Sequence, residues 1–327
     1  MKHLNLKKEQ TNGFSLSRVG LGGMRMSADS QDSINTIHAA LDAGINYLNT
    51  ADFYSGGTNE MTIREALKTR RREDVFISVK FGGMISPDGK FYGMDARPEA
   101  VQNYLTYTLN RLGTDYIDLY QPARINPYIP VEDTIGAVAD MVKKGYVKAI
   151  GISEVDGQTL RRAHAVHPIS LLEVRYSLMD RHIEDDLLPT ARELGIGVVA
   201  FGVLLAGLIG GSSPNEKLSM ISQRISTSTM ENVQQNLSCT DALKLIADEK
   251  GITLAQLAIA WVLAQGEDIL ALVGSRTVAQ VLSTVKATDI QLTAHDLQRM
   301  EEIIPKSTAK SSYMLEARLD EKGMFRL

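Results

Sequence analysis

Eight times along this chain a short apolar, β-branched run gives way to a stretch of helical period, and this alternation restricts the fold more than any other feature. The runs are Val19–Met24 (which ends in glycines), Tyr47–Thr50, Val75–Lys80, Tyr116–Gln121, Ala149–Ser153, Leu171–Val174, Val198–Phe201 and Leu270–Val273. Helices are expected at Asp32–Ala43, Glu60–Lys68, Pro98–Leu112, Pro130–Lys144, Gly157–Val166, Glu184–Leu194, Asp241–Lys250, Leu254–Ala264, Val278–Lys286 and Ala294–Ile304. Gly44, Gly145 and Gly195 close three of them, and Pro98 suits a helix start. Short apolar strands separated by helices pair in parallel, with the helices outside.

Two architectures satisfy that pattern, an open doubly wound sheet and a closed (β/α)8 barrel. Gly20–Gly23 lacks the G-x-G-x-x-G spacing that opens a nucleotide-binding helix. Eight units in 327 residues match a barrel, which typically takes ~250 residues plus insertions. The expected fold is therefore α/β, a (β/α)8 TIM barrel forming a single domain over residues 1–327. An N-terminal hairpin at Leu4–Leu16 turns at Thr11-Asn12-Gly13, and long βα loops at Phe81–Arg97 and Gly202–Ser238 lie on the C-terminal face.

A barrel carries its chemistry where its strands end. That rim gathers Met24, Thr50–Tyr54, Lys80–Gly83, Gln121–Asn126, Ser153–Glu154, Glu173–Tyr176, Phe201–Ala206 and Gly274–Arg276. Tyr54 and Lys80 stand out, at the ends of neighbouring strands. A free phenol has a pKa of ~10; a cationic Lys80 is expected to lower that of Tyr54 and ready it to donate a proton.

Other classes of function find little support. A net charge of -4 gives no reason to expect nucleic-acid binding. No apolar run approaches the ~20 residues of a membrane span, and the first ten residues lack the apolar core of a secretory signal. One cysteine, Cys239, permits no internal disulfide, so a cytoplasmic location is expected. Cys239 and the histidines show no metal-ligand spacing.

At the rim the sequence resembles the aldo-keto reductases over nearly its whole length. The matching stretches are D-A-G-I-N-Y-L-N-T-A-D-F-Y, Asn59-Glu60, V-F-I-S-V-K-F, R-L-G-T-D-Y-I-D-L-Y-Q, V-K-A-I-G-I-S-E, R-E-L-G-I-G-V-V-A-F and L-V-G-S-R, in that order. The resemblance implies NADPH-dependent reduction of an aldehyde or ketone, a small-molecule carbonyl substrate, and a tetrad of Asp, Tyr, Lys and His. Tyrosine falls on Tyr54 and lysine on Lys80, but the acid position is Asn49 and the histidine position Ala123. Asp52 points away from Asn49 while the strand stays regular, and the same parity weakens Arg124 as a stand-in for histidine. Asn49 still accepts a hydrogen bond from Lys80 but without a full charge, so Lys80 is expected to lose its proton more easily than in relatives with the acid.

For the cofactor, the resemblance implies contacts from Gly23, Met24, Ser153, Glu173, Phe201, Gly202, Leu204, Gly274, Ser275, Arg276 and Gln280. Ser153 would donate to the nicotinamide carboxamide and Glu173 would accept from it. Glu154 is read as a loop acid. Phe201 would stack on the nicotinamide ring. Gly274-Ser275-Arg276 opens a helix whose N-terminus suits phosphate, and Arg276 has the planar fork for a 2′-phosphate. Ser283 and Thr284 replace a usual Glu-Asn pair. Phe53, Met24, Met84, Phe91 and Tyr92 would line an apolar substrate pocket, and Q-P-A-R-I-N-P is closest in style to pyridoxal-reductase-type members. The same fold also serves as a nucleotide-binding sensor or regulatory subunit, as in potassium-channel β-subunits, and the two changed tetrad positions keep that alternative open.

Overall fold

The computed structural model describes residues 1–4, 6, 13–26, 30–205, 209, 230–308, 320 and 322–324. In chain order the strands are β1 Val19–Gly22, β2 Tyr47–Ala51, β3 Phe76–Phe81, β4 Gly83–Ile85, β5 Phe91–Met94, β6 Ile117–Pro122, β7 Val147–Ser153, β8 Ile169–Arg175, β9 Gly197–Phe201 and β10 Ile269–Gly274. All but β4 and β5 pair in parallel and close a barrel in the order β1-β2-β3-β6-β7-β8-β9-β10. The doubly wound alternative is thereby excluded. The helices are α1 Gln31–Asp42, α2 Thr58–Leu67, α3 Pro98–Leu112, α4 Val131–Lys143, α5 Gly157–Val166, α6 Leu187–Glu193, α7 Met230–Glu249, α8 Leu254–Ala264, α9 Val278–Ala287 and α10 Ala294–Ile303.

Strand alternation sends every second side chain inward, and the two faces form separate cores. Outward residues such as Leu48, Ile77, Val79, Ile150 and Val198 pack against the helices. Inward residues Tyr47, Phe76, Leu119, Ala149, Leu171, Val199 and Leu270 fill the lower barrel together with Leu4 and Leu16. The Leu4 N–H donates to the Leu16 carbonyl at 2.8 Å, so the expected N-terminal hairpin is present as paired arms that plug the barrel bottom. Its turn residues Thr11 and Asn12 lie outside the described residues. Gly197 leaves room for this plug: a Cβ there would stand 2.6 Å from Leu6.

The Asn59-Glu60 pair locks the rim from outside. Thr50 Oγ1 donates to Asn59 Oδ1 at 2.6 Å, and Asn59 Nδ2 donates to the Gly23 carbonyl at 3.1 Å. Glu60, fully buried, accepts from Arg111 of α3.

Two stretches depart from the expected loops. Phe81–Arg97 holds an antiparallel hairpin, β4 with β5, turned at Ser86–Lys90, where Ser86 N–H donates to the Lys90 carbonyl at 2.9 Å. Helix α7 begins at Met230, inside the stretch Gly202–Ser238 expected as loop; residues 206–208 and 210–229, Ala206 among them, lie outside the described residues. Near the C-terminus, the Met94 N–H donates to the Gly323 carbonyl at 2.7 Å and Gly93 bridges Met324.

Candidate active site

The inward face changes character as it rises. Tyr47 is followed two residues on by Asn49, Phe76 by Ser78 and then Lys80, Leu119 by Gln121, and Leu171 by Glu173. Apolar filling thus ends one layer below the rim, where a polar layer replaces it. Asn49 pairs in register with Ser78, Lys80 with Gln121, and Ser153 with Glu173. Gly151 makes space in this layer, since a Cβ there would stand 2.7 Å from Gln121 Oε1.

These side chains join in one network. Lys80 Nζ donates to Asn49 Oδ1 at 2.5 Å and to Glu173 Oε1 at 2.9 Å. The other carboxylate oxygen of Glu173 accepts from Asn49 Nδ2 at 2.7 Å and from Gln121 Nε2 at 2.6 Å. Asn49, Lys80, Gln121 and Glu173 are all buried. A buried charge is tolerable when it is paired and hydrogen-bonded, and here both charges are. Burial alone would push the Lys80 ammonium down, but the Glu173 carboxylate and Tyr54 outweigh it and hold the pKa above the ordinary lysine value. The expectation for Lys80 assumed that no full negative charge reaches it; the charge absent at Asn49 arrives from Glu173, and Lys80 holds its proton more firmly than a free lysine.

Tyr54 sits in a single tight turn, Tyr54–Gly57, directly after β2. Ser55, Gly56 and Gly57 have φ of 50, 65 and 92, three successive left-handed residues that bend the chain sharply. The phenol ring comes to rest with Lys80 Nζ 5.1 Å from its centroid. Burial raises the Tyr54 pKa above the ordinary phenol value, and Lys80 counters only part of that rise. The expected lowering is corrected accordingly: Lys80 pulls downward, but loss of solvent wins.

The structure also places the stand-ins considered for the missing residues. Asp52 turns away from Lys80, as parity requires, and its Oδ2 accepts from the Gly82 N–H at 3.0 Å. Burial pushes the Asp52 carboxyl up to about 7. Ala123 is buried with Met94 and Phe53, an apolar contact where a histidine would be a donor. Strand β6 ends at Pro122, so parity no longer governs Arg124; its guanidinium lies 3.9 Å from Glu154 Oε2 and its charge reaches Tyr54. Glu154, at a left-handed φ of 51, accepts from the Arg175 backbone N–H at 2.7 Å and from Arg175 Nε at 3.2 Å, which makes it a loop acid tied to β8.

On the cofactor side, the Ser153 hydroxyl is buried and has no hydrogen-bond partner among the described residues. Glu173 uses three of the roughly four acceptor sites of a carboxylate, leaving room for one further donor. Phe201 is half-buried at the end of β9, beside Gly202 at a φ of 74, with Leu204 half-buried beyond it. Gly23 has no room for a side chain, a Cβ there lying 2.4 Å from Asn59 Oδ1, and its N–H donates to the Asn49 carbonyl at 2.8 Å. Met24 is exposed. Gly274, buried Ser275 and exposed Arg276 lead into α9, which Thr277 caps. Gln280 Oε1 accepts from the Arg276 N–H at 2.8 Å, so that oxygen is already used inside the loop. Phe53 and Phe91 lie 5.3 Å apart between ring centroids, and Met84 packs against Gly93 of the same hairpin.

Gln121 was not singled out from sequence. The available signal was its parity: it lies two residues after buried Leu119, on the inward face at the top of β6. Among the described residues no group of His, Cys, Asp and Glu could hold a metal ion, and no helix is long and apolar enough to cross a membrane.

Known proteins share this architecture. The model of the Aldo/keto reductase family matches residues 18–305. A probable aldo-keto reductase of Glycine max is 36% identical over 305 residues, covering 90% of this chain and 87% of that protein. Among solved structures, the glycerol dehydrogenase of Gluconobacter oxydans superposes with a TM-score of 0.81 at 25% identity, over 94% of this chain and 97% of that one. An aldo-keto reductase of Klebsiella pneumoniae in complex with NADPH superposes with a TM-score of 0.72 at 24% identity over 98% of each chain, a likeness of fold.

Proposed function

Since this chain belongs to the aldo/keto reductase family, a family of nicotinamide-dependent oxidoreductases, we propose that it reduces an aldehyde or ketone to an alcohol with NADPH and that Tyr54 donates the proton. The observation that carries this reading is the Tyr54 phenol lying over the Lys80 ammonium at the barrel mouth. Carbonyl reduction needs a hydride, a proton and stabilisation of the oxygen as it gains charge. NADPH, when bound, supplies the hydride.

The remaining work falls to this chain. The Tyr54 hydroxyl is the hydrogen-bond donor to the carbonyl oxygen and then its acid. Lys80 holds positive charge beside the phenol and stabilises the phenolate left after transfer. Asn49 fixes the lysine by accepting one of its hydrogens. The buried Ser153 hydroxyl and the fourth acceptor site of Glu173, both without a partner among the described residues, fit a carboxamide, which offers one acceptor and an NH2 donor. Phe201 supplies a stacking face. The α9 N-terminus and Arg276 suit a phosphate, and Arg276 is the residue that would favour NADPH over NADH. Gly23, Met24, Gly202, Leu204, Gly274 and Ser275 complete the proposed cofactor contacts, with Gln280 supporting the Arg276 backbone. Phe53, Phe91 and the other hairpin side chains give the substrate an apolar wall, consistent with an aromatic aldehyde of the pyridoxal kind.

An assay of NADPH oxidation over a panel of aldehydes, pyridoxal included, tests the reading, and turnover is expected with at least one of them. The apolar contact of Ala123 with Met94 and Phe53 favours a second reading, a sensor or regulatory subunit that binds nucleotide without turnover. Tight NADPH binding with no oxidation across the panel would establish that second reading.

A further inference from the structure

We propose that Glu173 is the positioning acid of this site, supplying from β8 the negative charge that Lys80 lacks on its own side of the barrel. The proposal deepens the reading of Tyr54 and Lys80 given above and rests on it for its catalytic consequence. Glu173 does not touch the reacting atoms through this role; it acts through the lysine.

The geometry carries the assignment. Two residues share the lysine: Asn49 offers a neutral oxygen at 2.5 Å, and Glu173 offers a carboxylate oxygen at 2.9 Å. Among the described residues, Glu173 is the acid that forms an ion pair with Lys80, and both side chains are buried. Asp52, the acid nearest to Asn49 in sequence, is committed to the Gly82 N–H instead. The carboxylate is itself fixed at its other oxygen by Asn49 and Gln121, each of which donates to it. Asn49 therefore has two tasks: its oxygen accepts from Lys80 while its NH2 holds Glu173. An aspartate at that position could do only the first. Amide and acid are matched to each other, with the amide on β2 and the charge on β8.

The test uses Glu173→Gln, Asn49→Asp and the double variant Asn49→Asp/Glu173→Gln, the last of which returns the charge to β2 with no change in total. The charged and titratable groups around Lys80 are Glu173 on β8 and Tyr54 after β2, with Tyr47 below and Arg124 acting on Tyr54; the first is changed and the others are common to all variants. In the protein without cofactor, Glu173→Gln is expected to lower Tm at neutral pH by roughly 5 °C. With the carboxylate gone, burial governs Lys80 and its folded pKa falls below the unfolded value. The folded state then binds fewer protons than the unfolded chain, so the deficit against the parent closes as pH rises toward the lysine range. A packing defect alone would give a deficit independent of pH. With NADPH and an aldehyde, kcat should fall about 10²-fold.

The double variant should regain most of both losses. Lys80→Met/Glu173→Gln, which removes both charges, should fold stably and show no pH-dependent deficit. A pH-independent deficit in Glu173→Gln, or a double charge-swap variant no better than Glu173→Gln, would overturn the proposal. If the parent turns over no carbonyl, the stability measurements still decide the place of Glu173, and only the reductase reading falls.

Discussion

Glu173 Oε1 lies 2.9 Å from Lys80 Nζ although the residues are 93 positions apart and two strands, β6 and β7, separate theirs on the barrel wall. Both side chains are almost wholly removed from solvent, so each charge depends on the other. Lys80→Met should leave Glu173 buried without its cation and cost about 3–5 kcal/mol of stability. Urea unfolding followed by circular dichroism would read this; a loss under about 1 kcal/mol, the value of an exposed pair, would contradict the burial described.

Tyr54→Phe should reduce turnover by about 10²–10⁴-fold while NADPH binding stays near that of the parent. The pH profile of the parent gives a second check. A general acid works while protonated, and burial raises the Tyr54 pKa despite Lys80. Reduction should therefore show no loss assignable to Tyr54 until pH exceeds the ordinary phenol value. An alkaline limb near neutrality would show that the phenol is poised lower than the structure places it. Unchanged turnover in Tyr54→Phe would remove it as proton donor.

Ser153→Ala separates a ligand contact from a structural one. The hydroxyl is buried and makes no hydrogen bond to any of the described residues, so its removal breaks none of their contacts and relieves an unsatisfied polar group. The variant should be at least as stable as the parent without cofactor, yet bind NADPH roughly tenfold more weakly, the loss of about one hydrogen bond. Fluorescence titration of NADPH together with a melting curve would test both halves; equal affinity would mean that the hydroxyl faces no ligand.

Asp52 gives the clearest dependence of stability on pH. Its carboxyl is raised to about 7 by burial, above the ordinary 3.8, so the folded state holds a proton that the unfolded chain has released. Stability contributed by this group is complete below the unfolded value and declines as pH rises from about 4 to about 7. Asp52→Asn should flatten that decline and stabilise the protein by about 2–4 kcal/mol above neutrality. Tm measured across this range in both proteins is the check, and parallel curves would count against it.

Much of the fold is legible in the sequence. The eight runs became the barrel strands with boundaries shifted by a few residues, because a parallel strand enclosed on both faces must be apolar and short. Pro98–Leu112 and Leu254–Ala264 were placed to the residue, where a proline start and a Thr253–Gln256 capping box fix the helix ends. The β4–β5 hairpin was hidden by composition: Gly82, Gly83 and Gly93 read as loop, yet they allow backbone or ring approaches that a Cβ would block. Tyr54 and Lys80 were legible because chain proximity and strand parity place them. The part played by Glu173 and Gln121 was not, since it depends on which inward residues meet across the mouth. The raised pKa values of Tyr54 and Lys80 were hidden for the same reason, as neither burial nor a partner from β8 is visible in the local sequence.

A barrel wall is a ring, and at a given height every inward position is a near neighbour of the same central point. A counterion for Lys80 can therefore be posted at more than one station on that circle, provided the other stations adjust their donors to suit. In this chain the station is β8, and the adjustments are the amides of Asn49 and Gln121. Sites of this kind are better sought circumferentially, by the total charge and the donor count of a layer, than lengthwise by the spelling of one strand.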